Sequence, residues 1–260
     1  SLYSNTTGAA NVAIGYHAAH DNTTGALTAV GYAAGAANTT AGGGTFVGYA
    51  AGTLNTTGEN NTAVGVLSLY NNTTGSYSVA IGRDALAANT TATYNVAVGY
   101  QAGDALTTGS QNVAIGTGAI GGTTTGNYNT AVGTNSLYVA STASNNTALG
   151  YSTLHNNTAS SNTAVGHQAL YSNTTASENV AVGYQALYDN TTGEKNTAVG
   201  TAALTNNTTA SNNSAFGREA LKYNTTGASN VAVGREALVS NTTASNNTAV
   251  GYQAGYSHVN

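Results

Sequence analysis

Cysteine, proline, methionine and tryptophan are all absent from this chain of 260 residues. Without cysteine there is neither a disulfide framework nor a thiolate metal site. The lack of proline fits a chain in which nearly every backbone N–H must be donated to a neighbour. Charge is almost as scarce, with 5 Lys and Arg against 9 Asp and Glu and a net charge of -4. That supply cannot build a basic stripe along a nucleic-acid backbone or a cationic face for a membrane surface. No apolar run approaches the roughly 18 residues that would span a bilayer. Neither nucleic acid nor membrane insertion is therefore expected.

What the chain has instead is repetition. The unit Asn61-Thr62-Ala63-Val64-Gly65, followed by a variable stretch to Asn72-Thr73-Thr74-Gly75, recurs along the whole sequence. Its first glycine returns at Gly15, Gly31, Gly48, Gly65, Gly82, Gly99, Gly116, Gly133, Gly150, Gly166, Gly183, Gly200, Gly217, Gly234 and Gly251, in steps of seventeen except two of sixteen. A short fixed period means one supersecondary unit stacked on copies of itself. The chain opens at Ser1 inside the second half of a unit, so it is expected to be a segment, 1–260, of a longer repetitive protein.

Each column of the repeat carries its own constraint. The Val64 column is always apolar and is expected to point inward. Two residues earlier Thr and Val alternate, as at Thr62 and Val79, which fits a β-branched, half-buried strand position on the same face. Between them stands Ala in every unit but one, where Phe46 replaces it. A column that admits little beyond a methyl group is pressed either against the coil's own interior or against a partner chain about a threefold axis. Four residues past the glycine, Leu69, Leu86, Leu137 and their equivalents form a second inward wall, broken by Gly35, Gly52, Gly103 and Gly255. The recurring glycine between the walls marks a corner with positive φ or a close backbone approach.

No apolar positions recur at helical spacing. The pattern predicts an all-β fold, a parallel β-solenoid of about fifteen 17-residue coils, each made of three short extended segments joined by tight corners. Coils about 4.8 Å apart give an expected rod of roughly 70 Å. Two large apolar side chains per coil, at about 1.5–3 kcal/mol each, fall short of the ordering entropy. Backbone ladders, stacked Asn and Thr columns and burial between chains are expected to supply the remainder.

Asn179 to Gly193 reads Asn-Val-Ala-Val-Gly-Tyr-Gln-Ala-Leu-Tyr-Asp-Asn-Thr-Thr-Gly. This string resembles the repeats of trimeric autotransporter adhesin heads and is still more similar to the Asn-Thr-Ala-Val-Gly-Tyr-Gln-Ala-Leu-Tyr-Ser-Asn-Thr-Thr-Gly arrays of phage-type tail fibres. The resemblance covers essentially the whole chain, although the period is longer than that of adhesin heads. It implies an extracellular, cell-surface or virion-associated fibre, usually a homotrimer, that holds a binding tip away from a surface.

Several motifs invite sharper readings. Asn-Thr-Thr occurs in one column at Asn5, Asn22, Asn38, Asn55, Asn72, Asn89, Asn173, Asn190, Asn207, Asn224 and Asn241, each formally a glycosylation acceptor and each equally a turn and ladder motif. Tyrosines follow the corner glycine at Tyr16, Tyr32, Tyr49, Tyr100, Tyr151, Tyr184 and Tyr252 and recur at Tyr70, Tyr138, Tyr171, Tyr188 and Tyr256. They either cover a solenoid wall or offer a sugar-stacking ladder. Arg218-Glu219 and Arg235-Glu236, one coil apart, read as a solvated face. His17, His20 and Asp21 fall in different columns and no metal site is expected. Gly42-Gly43-Gly44 lacks the Lys and hydroxyl residue of a phosphate loop and reads as a degenerate corner.

No paired acids and no Ser-His-Asp grouping occur, so neither an enzyme nor a cofactor is expected. Three function classes follow: a structural fibre or stalk; a filament self-assembling end to end, with or without a glycan coat; and an ice-binding solenoid. The filament reading rests partly on the uncharged end Tyr256-Ser257-His258-Val259-Asn260. Against ice binding, Thr-Thr neighbours point to opposite faces.

Overall fold

The computed structural model describes residues 1–257; of the chain end, His258, Val259 and Asn260 lie outside the described residues. The fold is a parallel β-solenoid. It divides into two compact units, Ser1–Tyr128 and Asn129–Asn260. The first carries the strands from Val12–Ile14 to Val113–Ile115, the second those from Thr130–Val132 to Thr248–Val250. In both, successive strands pair in parallel with column matched to column, as Thr62↔Val79, Ala63↔Ala80 and Val64↔Ile81 show. The short steps keep this register: Thr147, Ala148 and Leu149 pair with Thr163, Ala164 and Val165 across sixteen residues.

Each coil has one regular strand of three or four residues rather than the three extended segments expected. The reason lies in the backbone. After the glycine corner, two further positions per coil take left-handed φ, as at Leu67 (φ 57) and Leu69 (φ 52), and Asn60 (φ 54) precedes the strand. Alternation of left- and right-handed conformations winds the chain through tight turns, and a bulky residue at positive φ is unusual. The coils hold it there by hydrogen bonds across the stack, for example Leu69 N–H to the Ala85 carbonyl at 2.9 Å and Thr73 N–H to the Thr90 carbonyl at 2.8 Å.

The inside and outside of the strand are the reverse of the pattern expected for the Val64 column. Ala63, Ala80, Ala97, Ala181 and Ala198 are fully buried within the single chain, whereas Ile81, Leu149 and Phe216 are 40%, 46% and 42% exposed. With side chains alternating along a strand, an inward alanine requires outward residues on both sides of it. The narrow coil decides which set goes in, because the left-handed wall stands directly opposite. A Cβ at Gly255 would lie 3.7 Å from the Ala249 methyl. Alanine therefore fits the coil's own interior, and the alternative of an alanine column facing a partner is set aside. The leucine wall is inward as expected, with Leu69, Leu86, Leu137, Leu154, Leu170, Leu187, Leu204 and Leu221 fully buried.

The corner glycine satisfies both reasons for its presence. Gly65 has φ +135, and a Cβ built there would sit 2.6 Å from the carbonyl oxygen of Gly82 in the next coil. Neither the angle nor the space admits a side chain.

Candidate functional site

The interior is more polar than the sequence columns imply, and it is built on amides. The Asn-Thr-Thr column forms a ladder in which most Nδ2 groups donate twice. Asn207 donates to Asn190 Oδ1 at 2.9 Å and to the Ala210 carbonyl at 2.9 Å, and Asn224 donates in turn to Asn207 Oδ1 at 3.0 Å. The same rungs run through Asn22, Asn38, Asn55 and Asn72 and through Asn157, Asn173, Asn190, Asn207, Asn224 and Asn241. At Asn89 the amide is turned, with Oδ1 accepting from the Ala92 N–H, and Asn72 Oδ1 is left without a partner.

This placement sets ten of the eleven sequon asparagines inside the coil. Asn22, Asn38, Asn55, Asn72, Asn89, Asn173, Asn190, Asn207, Asn224 and Asn241 are all fully buried. Asn5 is half-buried, with its Nδ2 on the Gly8 carbonyl at 3.0 Å. A sugar on any buried rung would have to occupy the coil interior and would remove a donor from a bonded amide. The sequon spelling follows from a turn: the asparagine reaches the carbonyl three residues on while the next threonine bonds the following coil, as Thr73 Oγ1 does to the Thr90 carbonyl at 3.0 Å.

A second amide column, which the sequence reading did not single out, lies at the start of the strand. Asn196 and Asn213 are fully buried. Asn196 Oδ1 accepts the Asn213 backbone N–H at 2.9 Å, and Asn196 Nδ2 donates to the Ala210 carbonyl at 2.8 Å. Its signal was in the sequence, since asparagine opens most units, and the burial of both columns follows from needing a partner for every inward carbonyl.

The exceptions compensate one another. Phe46, where alanine is the rule, is fully buried. Its ring fills the space above Gly35 (2.8 Å from a Cβ there), Gly44 (2.6 Å) and Gly52. Gly44 thus makes room for a ring, Gly43 (φ +71) makes room for Asn60 of the next coil, and Gly42 faces open space. At Gly103 and Leu106 the leucine and asparagine columns exchange roles: a Cβ at Gly103 would lie 3.1 Å from Leu106 Cδ1.

The tyrosines stack along the coils. Tyr16, Tyr32 and Tyr49 are 5.4 and 5.2 Å apart between ring centroids, and Tyr171–Tyr188 is 5.3 Å at 8°. A further pair, Tyr77–Tyr94 at 5.1 Å and 6°, lies in a column the sequence reading passed over. His155 and His167 are intercalated between tyrosines. Rings stacked this way cover each other's faces, which a sugar ring would need.

Arg218 pairs with Glu219 at 3.2 Å and Arg235 with Glu236 at 2.8 Å, on the surface as expected. Hydrogen bonds from Gln253 and Arg235 hold the Glu236 carboxyl below the usual carboxylate range. Burial pushes Asp104 and Asp189 up, and at Asp104 the nearby Asp84 adds to the rise. His20 Nδ1 lies 2.6 Å from Asp21 Oδ1, and the His17 and His20 rings are 4.6 Å apart, packed between Tyr16 and Tyr3. Among the described residues no group of three or more His, Asp or Glu is placed to hold a metal. One open hollow of about 190 Å³ lies beside the Phe46 coil, lined by Ala10, Ala26, Leu27, Thr28, Gly43, Gly44 and Thr45, with no titratable group.

Fold and interior together define a repeat protein of the parallel β-solenoid class. No family model matches the chain, and no match is found among curated proteins or solved structures.

Proposed function

We propose that this chain is a structural, non-enzymatic shaft segment of an extracellular fibre, of the tail-fibre or adhesin-stalk kind. The observation that carries the reading is the uniformity of the coil. Most interior polar groups are committed to amide rungs, turn carbonyls and backbone ladders, so coil after coil repeats one solution. Such a design sets length and stiffness by copy number. Among the described residues, the perturbed Asp104, Asp189 and Glu236 are not gathered into one concave site of the kind catalysis uses. Neutral amides and hydroxyls also suit a surface facing varied pH and salt, since few of its contacts depend on charge.

Immunogold labelling of intact source cells or virions with an antibody to this chain tests the proposal. Label along projecting fibres is the expected result. Label confined to the cell interior, or on compact particles without fibres, would overturn it.

A further inference from the structure

Cysteine and methionine, the usual sinks for an oxidant, are absent from this chain, as is tryptophan, while its aromatic rings are 17 Tyr against 2 Phe. Oxidation therefore falls on phenols, and the repeat sets phenols of successive coils face to face. In the first unit Tyr77 and Tyr94 have ring centroids 5.1 Å apart with planes at 6°. The second unit has the same arrangement at Tyr171 and Tyr188, 5.3 Å and 8°. Tyr77 and Tyr94 are 48% and 55% exposed, so an oxidant reaches both rings and neither is fixed by packing. Their backbones are held one coil apart by the column's own hydrogen bonds, Tyr77 N–H to the Glu59 carbonyl at 2.9 Å and Tyr94 N–H to the Ser76 carbonyl at 3.1 Å.

We propose that Tyr77 and Tyr94 are a modification site, joined as dityrosine within one chain by a one-electron oxidant of the haem peroxidase and hydrogen peroxide class. Each phenol gives one electron and its O–H proton to the oxidant and becomes a phenoxyl radical, with unpaired spin on the ring carbons beside the oxygen. A C–C bond forms between a Cε of Tyr77 and a Cε of Tyr94, the C–H bonds at those two carbons break, and their protons return to the two phenolic oxygens. The peroxide takes up the two electrons and two protons, its O–O bond breaks, and two waters leave. Rings that start stacked bring Cε against Cε by rotation about χ1 and χ2, which exposed side chains on a fixed backbone can do. Partners held this close react as if at high concentration, so the link within the chain outruns links between chains. Where a histidine is intercalated, as His155 is between Tyr138 and Tyr171 and His167 between Tyr151 and Tyr184, the flanking phenols stand two coils apart and stay uncoupled. Each link closes a loop around one coil and restrains the unfolded chain without reshaping the fold. None of this rests on the fibre reading.

The test is treatment of the dilute intact chain with a haem peroxidase and hydrogen peroxide, followed by unfolding and trypsin. Arg83 lies between the two tyrosines, and no other Lys or Arg precedes Lys195. Peptides 1–83 and 84–195 are therefore released separately from the untreated chain. After oxidation they should stay joined, in a species lighter than their sum by two hydrogens per link and showing the blue emission of dityrosine, with a yield independent of protein concentration. Tyr94→Phe keeps the ring stack but lacks the phenol, so it should release the two peptides while its circular dichroism is unchanged. Tyr128→Phe, whose neighbour in the column is Gln111, should leave them joined. Peptides that separate after oxidation overturn the proposal, as does a join that persists in Tyr94→Phe. Links found only in multimers, growing with protein concentration, overturn it equally.

Discussion

Phe46 sits where other coils carry alanine, and Gly52 sits where they carry leucine; the two departures are one event. A leucine at Gly52 would drive its Cβ into the Phe46 ring, and an alanine at Phe46 would leave the ring's volume empty. Each single change should therefore destabilise: Phe46→Ala by about 3–5 kcal/mol for the cavity, Gly52→Leu by about 1–3 kcal/mol for overpacking. Combining them restores the common pattern, so the double variant should recover part of the loss and show a favourable coupling in a urea-denaturation cycle. Additive losses would show that the ring and the glycine act separately. The sequence displayed both departures but gave no sign that they touch, because the repeat places them six residues apart on opposite walls. The inward sense of the strand was illegible for a related reason. Period-two alternation identifies two faces but not which is inside, and the larger residues are the natural choice. Here the left-handed wall leaves room for no more than a methyl group, and the rule reverses.

At the level of the coil, the amide rungs connect one turn to the next. Asn207→Ala would strand the Asn190 Oδ1 and one hydrogen of Asn224 in the interior, while the Ala210 carbonyl keeps the Asn196 Nδ2. With about 1–3 kcal/mol for each unsatisfied buried group, a loss of about 3–5 kcal/mol is expected in urea unfolding. Thr208→Val is the matching control. Its hydroxyl bonds the Thr225 carbonyl, which the Thr208 N–H also reaches, so about 1 kcal/mol or less should be lost. Equal effects would argue that the ladder is not a main stabilising element. The glycine corner and the leucine wall were legible from their columns, as was the parallel stacking. The ladder was legible as a column of asparagines but not as an interior one, since the same letters spell an exposed turn.

Across the molecule, charge contributes little and the amides do not titrate. Asp104 and Asp189, raised by burial, bind protons more readily folded than unfolded, so their contribution to stability rises as pH falls through the carboxylate range. Glu236 is shifted down and works the other way: its contribution is present above the ordinary carboxylate value and lost below its folded one. The opposed signs predict a Tm that moves by only about a few degrees between neutral pH and about pH 4. A steep acid transition would contradict it. Stability should also vary along the chain. The first unit loses the sequon asparagine at Leu106 and Thr123, where the buried Thr123 hydroxyl has no partner, and the second lacks it at Ala140. Coils contact only their neighbours, so amide hydrogen exchange should be fastest in these coils and slowest around Asn190 to Asn224.

The rungs all point one way. In each run the Nδ2 of a later asparagine donates to the Oδ1 of an earlier one, so the side-chain dipoles add instead of cancelling. Aligned chains of hydrogen bonds polarise one another. A coil interior of neutral residues therefore carries an electrical sense along its length, positive toward the earlier coils and negative toward the later ones, as an α-helix does.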